Sequence, residues 1–197
     1  MSAPETATTL DAAVDAVLTA LLPKTNEADV PAAVLLIDGR SGSGKSTLGA
    51  AVVRRWVLGA PAQLVRLDDI YPGWDGLEAA GRHLVEHVLW PRSVGREASW
   101  QRWDWASEQP AEWHDVDPAR PLVVEGCGTL GAEARGLAAL GVWVELDDAA
   151  RKGRALRRDG ELFAPHWERW AAQELAFAEW EAPRELADLE VDGRFSG

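Results

Sequence analysis

Residues 38–47 read DGRSGSGKST, and this stretch decides the fold. Four of its residues fit the phosphate-loop pattern G-x-x-x-x-G-K-[ST]: Gly39, Gly44, Lys45 and Ser46. A chain of this length matches the pattern by chance with a probability on the order of one per cent. An apolar run of strand length precedes the stretch at 32–37, and apolar residues at helical spacing follow it at 47–58. The sequence therefore predicts a buried strand, a phosphate loop and a helix in succession.

The composition of this loop favours binding of a nucleoside triphosphate. Its glycines let backbone N–H groups turn inward around a phosphate, and the helix that follows adds the positive end of its dipole. Lys45 supplies a mobile charge for the β and γ phosphates, and the Ser46 hydroxyl can bind Mg²⁺. The expected cofactors are therefore ATP and Mg²⁺, with the choice between ATP and GTP left open. The residues expected to contact the nucleotide are Gly39, Arg40, Ser41, Gly42, Ser43, Gly44, Lys45, Ser46 and Thr47.

Length and charge restrict the partners. A chain of 197 residues is the size of one domain, so we expect residues 1–197 to form a single domain. The formal net charge of −12 disfavours contact with nucleic acid or an anionic membrane, and no apolar run approaches the ~18 residues of a membrane span. Cys127 is the only cysteine, which excludes an intramolecular disulfide and favours the reducing cytoplasm. We expect a small-molecule partner, and homo-oligomerisation stays open.

Strand and helix patterns alternate along the chain. Strands are predicted at 32–37, 63–67, 121–125, 141–146 and 189–191, and helices at 6–22, 47–58, 76–90, from Asp147 or Asp148 onward, and at 165–180. This alternation predicts an α/β fold: a P-loop NTPase-type, doubly wound parallel sheet of about five strands, with helices on both faces and a small lid. The lid is expected at about 151–165 and a substrate-pocket insert at about 70–118. Residues 92–118 are polar and rich in tryptophan, with no clear periodicity.

Two classes of P-loop protein compete: a kinase for a small acceptor, and a nucleotide-driven switch or motor. A GTPase needs an N-K-x-D element to read its base, and the only asparagine, Asn26, precedes the first strand of the sheet. A motor ATPase needs a Walker-B strand that ends in Asp-Glu, whereas residues 123–126 read VVEG. The sequence therefore favours a kinase, with a P-loop ATPase or a regulatory nucleotide-binding module as the alternative.

A kinase needs a carboxylate near the γ-phosphate and mobile arginines that close over the transferring group. Asp68 and Asp69 follow the second strand, at the edge of the sheet where doubly wound folds bind ligands. A row of arginines at roughly helical spacing follows the fourth strand, with Gly160 as a candidate hinge. These arginines are Arg151, Arg154, Arg157 and Arg158. Paired aspartates also cap helices and arginine rows also form solvated faces, so both patterns gain weight only beside the phosphate loop.

Five short stretches occur in one order along the chain: DGRSGSGKST at 38–47, DDIY at 68–71, WDW at 103–105, VEG at 124–126 and RALRRD at 154–159. In this order they resemble the uridine kinase family, which belongs to the nucleoside kinase and phosphoribulokinase group of P-loop kinases. The resemblance covers about residues 32–182. It implies an ATP-dependent transfer of the γ-phosphate to a hydroxyl of a small molecule, first of all a nucleoside such as uridine or cytidine. A sugar phosphate, a vitamin precursor or a nucleotide is the alternative acceptor.

The resemblance also implies roles for individual residues. Asp68 would be the base, Tyr71 a nucleobase or ribose contact, and Asp75 an acceptor for a ribose hydroxyl. The candidate catalytic residues are Asp68, Lys45, Arg154 and Arg157, with Arg151 and Arg158 as substitutes. The candidate metal ligands are Ser46 and Glu125. The candidate substrate residues are Asp69, Tyr71, Trp74, Asp75, Trp103, Asp104 and Trp105.

Two departures from the family pattern bear on the acceptor. Tryptophans stand at both aromatic positions of the WDW element, and the stretch 71–76 is shorter than in the family. Trp74, Trp103 and Trp105 could stack on a flat base or only pack against protein. Asp69 could replace Asp68 as the base or hold the water of the metal. These alternatives stay open at the level of the sequence.

Four other patterns have separate interpretations. HLVEH at 83–87 matches a zinc-peptidase pattern, but no further ligand has a supporting context, so we expect no zinc. Cys127 is predicted to be a small buried residue rather than a nucleophile. The acidic stretch after Glu174 is predicted to be a solvated helix face, and the tail at 192–194 is a candidate for the border of the adenine site.

Overall fold

Five parallel strands form the central sheet of the fold. The structure is a computed structural model that describes residues 9–24 and 33–195, without the side chains of residues 159, 161 and 162. Within these residues the strands are, in chain order, β1 (Val34–Asp38), β2 (Gln63–Arg66), β3 (Ala98–Asp104), β4 (Gln109–Val116), β5 (Leu122–Glu125), β6 (Leu140–Glu145) and β7 (Leu189–Asp192). The sheet order is β2-β5-β1-β6-β7, and every pairing in it is parallel. β3 and β4 pair separately as an antiparallel hairpin.

Helices connect the parallel strands and cover the sheet. They are α1 (Leu10–Leu21), α2 (Lys45–Arg54), α3 (Leu77–His83), α4 (Trp90–Ser93), α5 (Ala132–Gly136), α6 (Asp148–Phe163), α7 (Trp167–Glu181) and α8 (Pro183–Leu186). A π-helical turn, Leu84–Leu89, joins α3 to α4. In the described residues, none of the helices is long and apolar enough to cross a membrane.

Alternate side chains of β1 point to opposite faces of the sheet. Leu35 and Ile37 belong to a core cluster with apolar residues of α1 and α2. Val34 and Leu36 belong to a second cluster, with residues of α3, the π-helical turn and α7. All the residues of β1 are buried, as expected for a parallel sheet with helices on both faces. The predicted α/β fold with a doubly wound parallel sheet of five strands is therefore confirmed.

Most predicted elements end within a few residues of the observed ones. α1 begins after Thr9, whose side chain accepts a hydrogen bond from the N–H of Ala12. Residues 6–8 of the predicted first helix and residue 32 of the predicted first strand lie outside the described residues. α2 ends at Arg54, short of the predicted end at 58. Asp147 is the N-cap of α6, one of the two predicted candidates. Gly160 has φ and ψ of 53° and −132°, so α6 breaks at the candidate hinge.

One prediction of secondary structure is wrong, and one feature of the fold is not predicted. The helix predicted to end at Pro91 continues to Ser93, because the π-helical turn places Pro91 in the first turn of α4, where its missing N–H is not needed. Residues 92–118 contain the β3–β4 hairpin, which the sequence did not reveal. Most residues of β4 are exposed on both faces, so the strand lacks the alternation of apolar and polar residues that marks a half-buried strand.

Candidate functional site

The phosphate loop connects β1 to α2. Gly42 and Gly44 have φ angles of 82° and 111°, in the left-handed region that glycine adopts readily. Gly42 also has no room for a side chain, because a Cβ there would collide with the carbonyl oxygen of Arg151. α2 begins at Lys45, so its first N–H groups and the positive end of its dipole lie at the loop. The loop therefore has the geometry of an anion site at the carboxyl end of a buried strand.

A buried carboxylate supports the phosphate loop. Asp38, the last residue of β1, accepts hydrogen bonds from the N–H groups of Gly39 at 2.6 Å, Gly128 at 3.2 Å and Leu130 at 2.8 Å. Burial raises the pKa of Asp38 to about 6, against the lowering effect of these hydrogen bonds and of Lys45. Asp38 therefore joins the phosphate loop to the loop after β5. It is absent from the residues predicted above, although a carboxylate directly after an apolar strand is a usable signal.

Lys45 lies among ionisable groups that come from the ends of two strands, β2 and β5. Burial alone would lower its pKa, but the neighbouring Cys127, Asp68 and Glu125 raise the pKa above its ordinary value. Lys45 is therefore protonated at neutral pH and close to the carboxylates that follow β2 and end β5. The structure thus brings Lys45 and Asp68, which come from separate motifs, into one electrostatic neighbourhood.

The two aspartates after β2 have different surroundings. Both lie in a 3-10 turn, and Asp68 is among the charges that act most strongly on Lys45, whereas Asp69 is not. Burial raises the pKa of Asp69, while the guanidinium groups of Arg66 and Arg102 lower it. Asp69 therefore faces basic groups of β2 and the hairpin. Of the two candidate bases, Asp68 is therefore the one whose charge acts on Lys45, and its role as the base stays a prediction.

Ser46 and Glu125 have the chemistry of a magnesium site. The Ser46 hydroxyl donates a hydrogen bond of 3.0 Å to Oε2 of Glu125. The Glu125 side chain is 1% exposed, and its Oε1 accepts no hydrogen bond from the described residues; Nε of Arg66 lies 3.7 Å away. A buried carboxylate oxygen in this condition is unfavourable unless a cation approaches it. Because Mg²⁺ takes few ligands from the protein when phosphates supply others, the two residues fit it.

The β3–β4 hairpin contacts Asp68 through Trp105. The indole Nε1 of Trp105 donates a hydrogen bond of 2.9 Å to the backbone carbonyl of Asp68. The Trp105 ring also contacts Trp74, with the ring centroids 5.0 Å apart. Trp74 in turn stacks on His166 at 4.4 Å and on Phe163 at 5.4 Å, beyond the break in α6. These contacts are packing contacts within the protein, and stacking on a nucleobase stays a prediction.

Four other candidate substrate residues are engaged with protein groups or buried. Tyr71 lies in the core and donates a hydrogen bond of 2.8 Å to a backbone carbonyl of the loop after β5. Asp75 forms an ion pair with Arg169, and Asp104 accepts a backbone N–H hydrogen bond within the hairpin. The indole nitrogen of Trp103 is buried without a hydrogen-bond partner among the described residues. The structure does not bring these side chains together, and their substrate contacts stay predictions.

The arginines of α6 lie in different environments. Nη1 of Arg154 donates a hydrogen bond of 2.6 Å to the carbonyl of Gly193, and Arg157 and Arg158 are exposed. Arg151 is only 4% exposed, and its backbone lies against Gly42 of the phosphate loop. Arg151, predicted only as a substitute, is therefore the arginine of this row that packs on the loop.

Several solved structures share the fold of this chain. No protein-family model and no curated protein sequence matches the chain. A solved structure described as a possible uridine kinase from Bacillus stearothermophilus matches with a TM-score of 0.67 and 17% identity, over 93% of this chain and 99% of that chain. The YGR205w protein matches with a TM-score of 0.61 and 12% identity, over 95% and 96%. D-glycerate 3-kinase from Cryptococcus neoformans matches with a TM-score of 0.52 and 12% identity, over 93% and 96%.

The chain has a P-loop kinase fold. The resemblance to the uridine kinase family read from short motifs thus extends to the three-dimensional structure over nearly the whole chain. At these low identities the likeness establishes the fold, and the chemistry has to be inferred from the site.

The tail of this P-loop kinase fold also packs on the phosphate loop. Atoms of the Phe195 ring lie 2.9 Å from the position that a Cβ of Gly44 would take. Gly193 lies against the backbone carbonyl of Ser43 and donates its own N–H to Glu145 at 2.8 Å. The tail is therefore next to the nucleotide loop, and its contact with adenine stays a prediction.

Glu174 is the second residue near the loop that the sequence predictions omit. Its side chain is 2% exposed, and its Oε1 accepts hydrogen bonds from the N–H of Ser41 at 2.7 Å and the indole of Trp170 at 3.1 Å. A signal exists in the sequence, because Glu174 falls on the same stripe of α7 as the buried Trp167 and Trp170. Glu179, in the acidic stretch that follows, is exposed as predicted.

The histidines of the HLVEH stretch have a structural role. The ring centroids of His83 and His87 lie 4.5 Å apart. Nε2 of His83 accepts a hydrogen bond of 3.1 Å from the backbone N–H of Gln101 in β3. The helical segment thereby contacts the hairpin. The described residues contain no group of three or more His, Cys, Asp or Glu side chains that could hold a metal ion. Cys127 is buried, as predicted.

A large cavity of about 750 Å³ lies between α3, α5 and α7. Its walls include Leu77, Gly128 and Phe177 but none of Lys45, Asp68 and Glu125. The cavity is therefore distinct from the phosphate loop. The first turn of α6 and the C-terminal residues Gly193 and Phe195 pack on that loop instead.

Proposed function

We propose that this chain is an ATP-dependent kinase that transfers the γ-phosphate of ATP to a hydroxyl of a small molecule. The observation that carries the proposal is the position of a carboxylate, Asp68, in the electrostatic neighbourhood of Lys45 in the phosphate loop. The P-loop kinase fold, which solved structures described as kinases share, supports it. Residues 1–197 would act as a single domain in the cytoplasm, with 151–165 as the lid and 70–118 as the acceptor insert.

The chemistry divides among the residues of the loop and the strand ends. Lys45 and the loop N–H groups bind the β and γ phosphates and stabilise the charge that develops on the bridging oxygen. Ser46 and Glu125 would hold Mg²⁺, which would supply positive charge to the phosphate oxygens. The acceptor oxygen attacks the γ-phosphorus, the bond from that phosphorus to the β–γ bridging oxygen breaks, and ADP leaves. Asp68 orients the acceptor hydroxyl and takes its proton.

The lid contributes arginines to this reaction. By the resemblance, Arg154 and Arg157 close over the transferring phosphoryl group, which carries negative charge in the transition state. Gly160 would allow the movement, since its backbone is already outside the helical region. Arg154 would exchange its hydrogen bond to the Gly193 carbonyl for one to a phosphate oxygen.

The first candidate acceptor is a nucleoside such as uridine or cytidine. The order of the short motifs supports this choice, as does the fold likeness to a possible uridine kinase. Trp105 is the aromatic residue next to Asp68 and is 38% exposed, so we propose it as a contact for the base. The likeness to a glycerate kinase supports a different small hydroxyl compound as the alternative acceptor.

Release of ADP from MgATP tests the activity. The rate is measured without an acceptor and with uridine, cytidine, D-glycerate and a panel of sugar phosphates, and the phosphorylated product is identified by mass spectrometry. We expect release to depend on one of these acceptors and to be lost in Lys45→Met. Release at the same rate without any acceptor would identify an ATPase or a regulatory nucleotide-binding module instead. A wild-type protein that does not bind MgATP would contradict both.

A further inference from the structure

Four charged side chains form a closed ring on one side of the phosphate loop. Arg40 comes from the loop, Asp148 and Arg151 come from α6, and Glu174 comes from α7. Oδ1 of Asp148 lies 3.0 Å from Nη1 of Arg40 and 2.7 Å from Nε of Arg151. Oε2 of Glu174 lies 3.3 Å from Nε of Arg40 and 3.6 Å from Nη1 of Arg151. Each carboxylate therefore contacts both guanidinium groups, and we call these four residues the charge ring.

Glu174 is the buried carboxylate that fixes the charge ring. A buried carboxylate is unfavourable unless it is paired and hydrogen-bonded, and Glu174 meets both conditions. Its Oε2 contacts the two arginines, while its Oε1 accepts hydrogen bonds from the Ser41 N–H and the Trp170 indole. Asp148, by contrast, is 77% exposed, so its ion pairs are weakened by solvent. Glu174 thus holds the backbone of the loop and the arginines at the same time.

Arg151 is the member of the charge ring that is prepared to bind an anion. Its guanidinium is buried, and its Nη1 has no hydrogen-bond partner among the described residues. Nη1 nevertheless lies 3.6 Å from Glu174, which orients the group without satisfying its donors. The backbone of Arg151 packs on Gly42, so the side chain starts directly beside the loop. A buried guanidinium with an unused donor at this position matches the needs of a phosphoryl group that gains charge during transfer.

We propose that Glu174 is a positioning residue that acts through Arg151, and that Arg151 contacts the transferred phosphoryl group. The inference rests on the proposed kinase function and adds to it a residue that neither the short motifs nor the resemblance indicates. Removing the negative charge of Glu174 has two opposing effects on the affinity for ATP. The loop loses an anchor, which weakens binding, and the triphosphate loses a nearby negative charge, which strengthens it. The transfer rate depends instead on the orientation of Arg151, so the effect belongs mainly in kcat.

A double-mutant cycle tests this coupling. Glu174→Gln keeps the side-chain volume and an oxygen for the Ser41 N–H but removes the charge, and Arg151→Met removes the guanidinium. We expect each single variant to lower kcat about tenfold or more, and the double variant to be no slower than the slower single variant within about twofold. Multiplying effects in the double variant, or a Glu174→Gln enzyme as fast as wild type, would overturn the proposal. Glu179→Gln is the matched control, since Glu179 is exposed on the same helix.

Two further measurements separate positioning from folding and from the kinase proposal itself. The stoichiometry of binding a non-hydrolysable MgATP analogue should stay that of wild type in Glu174→Gln, whereas a structural defect would lower it together with kcat. If Glu174→Gln does not fold, Glu174→Asp replaces it: withdrawing the charge by one methylene should still lower kcat, and an unchanged kcat contradicts the role. A wild-type protein without acceptor-dependent transfer would remove both proposals, whereas active wild type with unaffected variants removes only this one.

Discussion

The indole nitrogen of Trp105 donates a hydrogen bond of 2.9 Å to the backbone carbonyl of Asp68. This bond joins the loop of the β3–β4 hairpin to the turn that carries the proposed base. The hairpin pairs only with itself in the described sheets, so side-chain contacts of this kind hold it against the rest of the fold. The position of Asp68 therefore depends on a residue far away in the sequence.

Trp105→Phe should lower kcat about fivefold, because it keeps an aromatic ring but removes a hydrogen bond worth about 1 kcal/mol that fixes the turn. The affinity for MgATP should not change, since Trp105 belongs to the proposed acceptor side of the site. Steady-state kinetics with the identified acceptor provide the measurement. Trp113→Phe on the same hairpin is the control, because Trp113 contacts the histidine pair rather than Asp68. Equal kinetics in both variants would show that the bond has no role.

Asp38→Asn should change how stability depends on pH. The pKa of Asp38 is raised from 3.8 to about 6, so the folded protein binds this proton more tightly than the unfolded chain does. The resulting stabilisation is present in full below about pH 4 and is lost as the pH rises through about 6, by roughly 3 kcal/mol in all. The free energy of unfolding of wild type minus that of the variant should therefore fall over this range in urea titrations.

Asp115→Asn provides the control for this titration. Asp115 is exposed in β4, so its replacement should leave the difference from wild type nearly constant between about pH 4 and about pH 7. A constant difference for Asp38→Asn as well would mean that the Asp38 carboxyl is not buried in the way the structure shows.

Local patterns were sufficient to predict the centre of the fold. The apolar run before Asp38, the glycines of the loop and the helix that begins at Lys45 are all determined by residues within about one strand and one helix of each other. The central strands β1, β5 and β6 could be predicted for the same reason, since strands buried on both faces are continuously apolar. Asp68 and Glu125 could be placed near the loop because the carboxyl ends of parallel strands meet at one edge of the sheet.

The remaining features depend on contacts between distant segments. Glu174 accepts a hydrogen bond from the N–H of Ser41, which is far away in the sequence. The only local sign that this glutamate of α7 is buried is its position on the same stripe as Trp167 and Trp170. Most residues of β4 are exposed on both faces, so the sequence of the β3–β4 hairpin carries little period-two signal. Pro91 marked the end of a helix by the usual rule, and only the π-helical turn before it explains why the helix continues.

Glu125→Gln should raise the Mg²⁺ concentration needed for half-maximal transfer by about tenfold, because an amide oxygen is a weaker ligand than a carboxylate. The amide can still accept the hydrogen bond of the Ser46 hydroxyl, so the fold should be retained. A titration of ADP release with Mg²⁺ at fixed ATP measures the effect. Glu133→Gln in α5 is the control, since Glu133 is exposed. An unchanged Mg²⁺ requirement in Glu125→Gln would exclude Glu125 as a ligand.

The central claim is that Asp68 acts on the acceptor hydroxyl opposite Lys45, and a comparison of Asp68→Asn with Asp69→Asn tests it most directly. Acceptor-dependent kcat and the Kd for a non-hydrolysable MgATP analogue are measured for both variants. We expect Asp68→Asn to lose at least about a hundredfold in kcat with its Kd within about twofold of wild type, and Asp69→Asn to lose far less. An Asp68→Asn enzyme that keeps its turnover, or that loses nucleotide binding together with turnover, would contradict the account.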